Sequence, residues 1–231
     1  MDPSCAVRAC EARVSAHPQD APRRGKCGRS MKTQHGKIPW VSELVSQAVD
    51  LLRAAGVNLA RGLTDSEISR IEQSFGFSFG EEHRALLAAA LPTGQGWIDW
   101  RNGPHDDLQS RLNWPIEGVM FDVHNNDFWP SSWGDRPAEG SLADEQAREH
   151  LASVPKLIPV YSHRFLPAAP APVPSPVFSV YQTDVIFYGD NLLDYVAHEF
   201  NSPPRYPAEN EGRQHIGFWS DLAEGAEDSD L

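Results

Sequence analysis

The stretch Val177–Phe200, VFSVYQTDVIFYGDNLLDYVAHEF, constrains the fold more than any other part of the chain. Val177–Tyr181 and Val185–Tyr188 are β-branched or aromatic runs that suit a mostly buried pleated surface. Gln182, Thr183 and Asp184 interrupt them, which predicts either a tight hairpin or one strand with a bulge. Gly189 gives the backbone freedom to leave the sheet. Asp190 reads as an N-cap, and Leu192, Val196, Glu199 and Phe200 recur at helical spacing, so a short helix lays one apolar face on that sheet. The architecture this predicts is α+β, an antiparallel sheet with helices packed mainly on one side.

The 231 residues suffice for one substantial core. The formal charge of −12 is unevenly placed: residues 1–37 hold eight Lys/Arg against three Asp/Glu, leaving twelve against twenty-nine in the rest. An acidic body of that kind repels nucleic acid and anionic membranes, and its field steers basic partners towards it. All three cysteines, Cys5, Cys10 and Cys27, lie in the basic leader, so the remainder has no disulfide framework, a pattern that fits a reducing cytoplasm. With His17 and His35 they match no standard zinc spacing, and no metal or other cofactor is expected. No apolar run approaches the length of a membrane span. Residues 1–37 read as a loose basic leader in which Met31 is a candidate start, 38–220 as the folded domain, and 221–231 as an acidic tail.

Within the domain, Ser42–Ala55 has a wide apolar helical face ended by Gly56. Thr64-Asp65-Ser66-Glu67 is a capping box for a helix through Phe75. A third helix starts at Glu81 and is stopped by Pro92 and Gly94. Trp97–Trp100 reads as a short strand, His105–Leu112 as a short helix, and Ile116–Val123 as another beyond Trp114-Pro115. Residues 128–137 form a Trp-rich loop too interrupted by Pro and Gly to be regular. Ser141 caps a helix to Ala152, Leu157–Phe165 is one strand, and the prolines of 167–176 make a stiff extended link. Ile216, Phe218 and Trp219 fasten the C-terminal segment to the core.

The order of several short motifs resembles the SUKH superfamily of Smi/Knr-type domains, in its bacterial branch. The motifs are Gly62-Leu63-Thr64, Phe75-Gly76-Phe77, Leu86-Leu87-Ala88, Leu91-Pro92 and Trp97-Ile98-Asp99-Trp100, then Phe128-Trp129, Trp133-Gly134, Leu157–Tyr161, Pro176–Ser179 and Asp184–Ile186. They span roughly residues 41–220. Gly80 stands where such proteins commonly place a proline at the start of the third helix. The resemblance implies a non-enzymatic protein-binding module, of the kind that neutralises a cognate polymorphic toxin, often a nuclease. The acidic body agrees with a basic toxin domain as partner. The alternatives are an intracellular regulatory or scaffold module of the same type without a toxin, and a sugar binder that uses the Trp loop.

No nucleophile elbow, phosphate-cradling Gly loop or HExxH pair is present, and the reading is that the chain is not an enzyme. Asp122, His124 and Asp127, with His163 and Asp184 across the sheet, are read as turn formers and solvated loop residues. Trp97, Trp100 and Trp114 sit at element ends among apolar neighbours and read as core. Trp129, Trp133 and Arg136 are candidate partner contacts if their loop is exposed, and otherwise packing anchors. Tyr161, Arg164 and Asp184 are polar or half-polar residues in apolar strands and complete the candidate contact set. The competing account of the last two is an internal hydrogen-bonded pair.

Overall fold

Thr64 does what its sequence position predicts: its hydroxyl accepts the Glu67 N–H, and the Glu67 carboxylate accepts the Thr64 N–H at 2.7 Å. The capping box starts the second of seven helices in a computed structural model that describes residues 39–200 and 212–225. The leader, with its cysteines and Met31, and the end of the acidic tail lie outside the described residues. The helices are α1 (Pro39–Ala54), α2 (Asp65–Phe75), α3 (Glu81–Ala89), α4 (His105–Asn125), α5 (Gly140–Leu151), α6 (Leu192–Phe200) and α7 (Phe218–Ala223). Helix α7 therefore takes up the first residues of the stretch read as tail. Strands β1 (Asn58–Arg61) and β2 (Ala90–Thr93) form one antiparallel pair. Strands β3 (Leu157–Tyr161), β4 (Arg164–Pro167), β5 (Val177–Tyr181) and β6 (Asp184–Gly189) form an antiparallel sheet in sequence order.

The α+β architecture is as expected, but the helices cover both faces of the sheet. Phe165 and Phe178 are paired across β4 and β5 and pack with Val119, Met120 and Val123 of α4, Leu151 of α5 and Trp219 of α7. Their chain neighbours Leu166 and Val177 point the other way by strand alternation, into a cluster with Val45, Ala48 and Leu52 of α1, Leu86 of α3 and Tyr195 of α6. A third cluster, around Ile68, Phe77, Leu91 and Trp100, packs beside β3.

Several local expectations change. Leu157–Phe165 is not one strand but a hairpin, because Ser162 takes φ +48° and turns the chain between β3 and β4. The Val177–Tyr188 ambiguity resolves as a hairpin too, with Gln182 at φ +58°. Trp97–Trp100 is not a strand; Trp97 makes a single bridge to Tyr161. The chain after α3 continues as β2, Pro92 included, since this short strand pairs only with β1. Residues 105–125 form one helix, with Pro115 inside it. Asn191, not Asp190, caps α6: its side chain accepts the Asp194 N–H at 3.0 Å. Ser141 does not cap α5, whose N-cap is Glu139, and the Ser141 hydroxyl donates to that carboxylate. The proline link bends at 169–170 and 173–174 instead of running extended.

Candidate interaction surface at the hairpin turns

Helix α4 lies across the turns of both hairpins. The Arg111 guanidinium donates to the Ser162 carbonyl at 3.3 Å, in the β3–β4 turn. Two helical turns further on, Gly118 meets the β5–β6 turn so closely that a Cβ there would sit 2.9 Å from the Gln182 Cα. Asp122 completes the attachment. It is buried, and one carboxylate oxygen accepts both the Thr183 N–H (2.8 Å) and hydroxyl (2.6 Å), while the other accepts the Asn126 amide. A buried carboxylate held by three donors fixes the turn against the helix.

Trp114 and Phe121 flank Gly118 at helical spacing, on the outward stripe of α4, and are 46% and 49% exposed. Tyr181, which leads into the turn, is 58% exposed. It pairs with Asp184, and strand alternation places Ile186, itself 48% exposed, on the same face of the sheet, that of Val177 and Ser179, opposite the face covered by α4. Glu117, one helical turn from Trp114, and Asp184, opposite Tyr181, are both exposed, so each pair has an acidic neighbour. Large exposed apolar side chains on both sides of a fixed turn, Trp114 and Phe121 on α4 and Tyr181 and Ile186 on the other face of the sheet, are of the kind that protein-interaction surfaces use.

The six predicted contact residues do not converge. Asp184 alone of the six is exposed, opposite Tyr181. Arg164 is a correction: it is buried, its Nε donates to Glu199 at 3.0 Å and its Nη1 to the Ser179 hydroxyl at 2.9 Å, and its guanidinium stacks 3.5 Å over the Tyr188 ring. It pairs with Glu199 instead of Asp184, because register aligns Arg164 with Ser179 and leaves Asp184 at the turn. Tyr161 is half-buried between Trp97 (4.9 Å) and Phe200 (5.3 Å). Trp129, Trp133 and Arg136 belong to the far end of α4. Trp133 stacks with His150 at 5.0 Å and Phe218 at 6.1 Å, Trp129 sits edge-on to it and donates to the Gly134 carbonyl, and Arg136 is bound by Asp127 and the Val123 carbonyl.

The polar cluster of Asp122, His124, Asp127, His163 and Asp184 is likewise dispersed. Asp122 holds the turn, His124 lies 3.4 Å from Asp144, Asp127 pairs with Arg136, and His163 contacts the Ser162 hydroxyl. Burial, then the neighbouring Arg164 charge, lowers the His163 pKa below its usual value. Trp114, which its sequence neighbours assign to the core, is a correction: it stands outside it, half exposed. Had residues 105–125 been read as one helix, Leu108, Leu112, Val119 and Val123 would have defined the inner stripe and left Trp114 and Phe121 outside it.

Two buried polar groups lie apart from this surface. Glu82, at the start of α3, accepts the Ser175 N–H at 2.9 Å through one carboxylate oxygen, while the other has no hydrogen-bond partner; burial raises its pKa to about 7 against the pull of the nearby backbone N–H groups. His83 beside it is buried with no hydrogen bond to Nδ1, and burial pushes its pKa down to about 3. Among the described residues no helix is long and apolar enough to cross a membrane.

No protein-family model, curated protein or solved structure matches the chain.

Proposed function

We propose that this protein is a non-enzymatic binding module whose partner is another, basic, protein, and that it acts in the cytoplasm as an immunity protein neutralising a toxin domain. The observation that carries this reading is the exposure of Trp114 and Phe121 on α4 and of Tyr181 and Ile186 on the opposite face of the sheet, on either side of the turn that Asp122 fixes to α4. A rigid aromatic surface loses little conformational entropy on binding. The seventeen excess negative charges of residues 38–231 would draw in a basic partner before that surface docks.

The test is a pull-down with the full chain from its native cells, at low and moderate salt, followed by association kinetics with the recovered protein. The reading predicts a stoichiometric basic toxin domain, an on-rate that drops as salt rises, and a loss of affinity of at least tenfold in Trp114→Ala/Tyr181→Ala. Recovery of signalling proteins only, with no toxin in cells shown to express one, would replace it with the regulatory scaffold reading. Affinity unchanged in the double variant would move the interface elsewhere on the molecule.

A further inference from the structure

Helix α4 changes neighbours along its length. Leu108 and Leu112 lie with the cluster of Ile68 and Phe77, whereas Val119, Met120 and Val123 lie with Phe165 and Phe178. Pro115 falls at the change, and its ring nitrogen has no hydrogen to give the Arg111 carbonyl one turn back. The two clusters do not close over this seam. A groove of 280 Å³ opens there, walled by Phe75, Phe77, Leu112 and Ile116 and reaching the buried Trp219. That is close to the smallest volume in which proteins hold small molecules, roughly 300 Å³.

The charge of the groove is opposite to that of the chain. Acidic residues outnumber basic ones 32 to 20 overall, yet the groove is lined by Lys156 and Arg148 and by no Asp or Glu. Arg148 is shared with Glu117 at 3.2 Å. The Lys156 ammonium donates to the Gly76 carbonyl at 3.0 Å and has no acidic side chain within ion-pair distance among the described residues. Gln109 and Asn113, one helical turn apart and bonded to each other at 2.9 Å, add neutral polar groups to the lining.

We propose that this groove binds a medium-chain fatty acid, the hydrocarbon against the apolar wall and the carboxylate on Lys156. One cation without an acidic partner suits a monoanion, and the volume suits one chain instead of two. None of Trp114, Phe121, Tyr181 and Ile186 lines the groove, and the inference does not depend on the reading of that surface.

The test is calorimetric titration of the full chain with sodium decanoate and with decanol. Decanoate binds saturably at one site and decanol about fivefold more weakly, the scale of one partly exposed charge pair. Lys156→Gln brings decanoate down to the level of decanol. Ala152→Trp, an exposed groove-lining position, abolishes binding of both with the melting temperature unchanged. Absence of saturable decanoate binding to the native chain overturns the proposal. So does equal affinity for the alcohol, or decanoate affinity unaffected by Lys156→Gln. Should Ala152→Trp misfold, the Lys156 comparison decides alone.

Discussion

The Trp129–Arg136 loop and the turns under α4 are both rich in aromatic side chains, but they use them in opposite ways. In the loop, Trp133 is stacked with His150 and Phe218, and Arg136 is tied to Asp127 and the Val123 carbonyl. Around the turns, Trp114, Phe121 and Tyr181 are each about half exposed, and the polar bonds that fix the turn come from Asp122 below them. An aromatic residue in an irregular segment is needed to hold the segment down. The same residue on a helix or strand whose inner face is already filled is left for contact with something else.

The difference between inward and outward side chains can be broken most forcefully at Arg164. Arg164→Ala leaves Glu199 with an unpaired carboxylate and strips the Ser179 hydroxyl of its donor, and should cost about 3–5 kcal/mol in urea denaturation. A loss below about 1 kcal/mol would return Arg164 to the surface class.

Acidity sharpens the inward class next. The folded-state pKa of Glu82, raised to about 7, means the native protein holds a proton that the unfolded chain has released above about 4.5. Its stabilising effect is therefore complete below 4.5 and lost as pH rises through 7, a change on the order of 3 kcal/mol. Glu82→Gln should remove that fall, seen as the difference between the two proteins' unfolding free energies at pH 5 and pH 8. His83 acts in the reverse sense, losing stability as pH drops from 6.5 towards 3, and cancels in the difference. A difference that is flat with pH would mean that Glu82 is solvated.

Trp133→Ala should cost about 2 kcal/mol, less than a fully buried tryptophan, and lower the melting temperature. The smallest stability change belongs to the outward set: Trp114→Ala and Tyr181→Ala should each stay within about 0.5 kcal/mol of the native chain. If either costs as much as Trp133→Ala, the surface is a packing site and the contrast disappears.

These regions also show what could be read from the sequence. The α2 capping box, the apolar runs of β5 and β6 and the inward faces of α1 and α6 were legible because each rests on local spacing, which the tertiary structure reinforces. The β1–β2 pair was not, because Ala90–Thr93 contains a proline and joins a partner some thirty residues earlier. Pro115 hid the continuity of α4, and with it the exposure of Trp114. Arg164 was visible as an oddity in an apolar strand, but its partner depends on which α6 residue reaches that face of the sheet, and no periodicity within β4 carries that. Of the contact set, only Asp184 is exposed, because it stands at the end of its strand next to the turn.

Helix α4 has one more consequence, for how the molecule comes apart. It is a rigid rod with one end seated in one core and the other end in a second. Thermal openings of the two cores cannot be independent while the rod is intact, so a cavity cut at Val123 should speed amide exchange around Leu108, four turns away on the helix. The rod's weak joint is the missing bond at Pro115, and that is where the two halves of the protein would first begin to fluctuate separately.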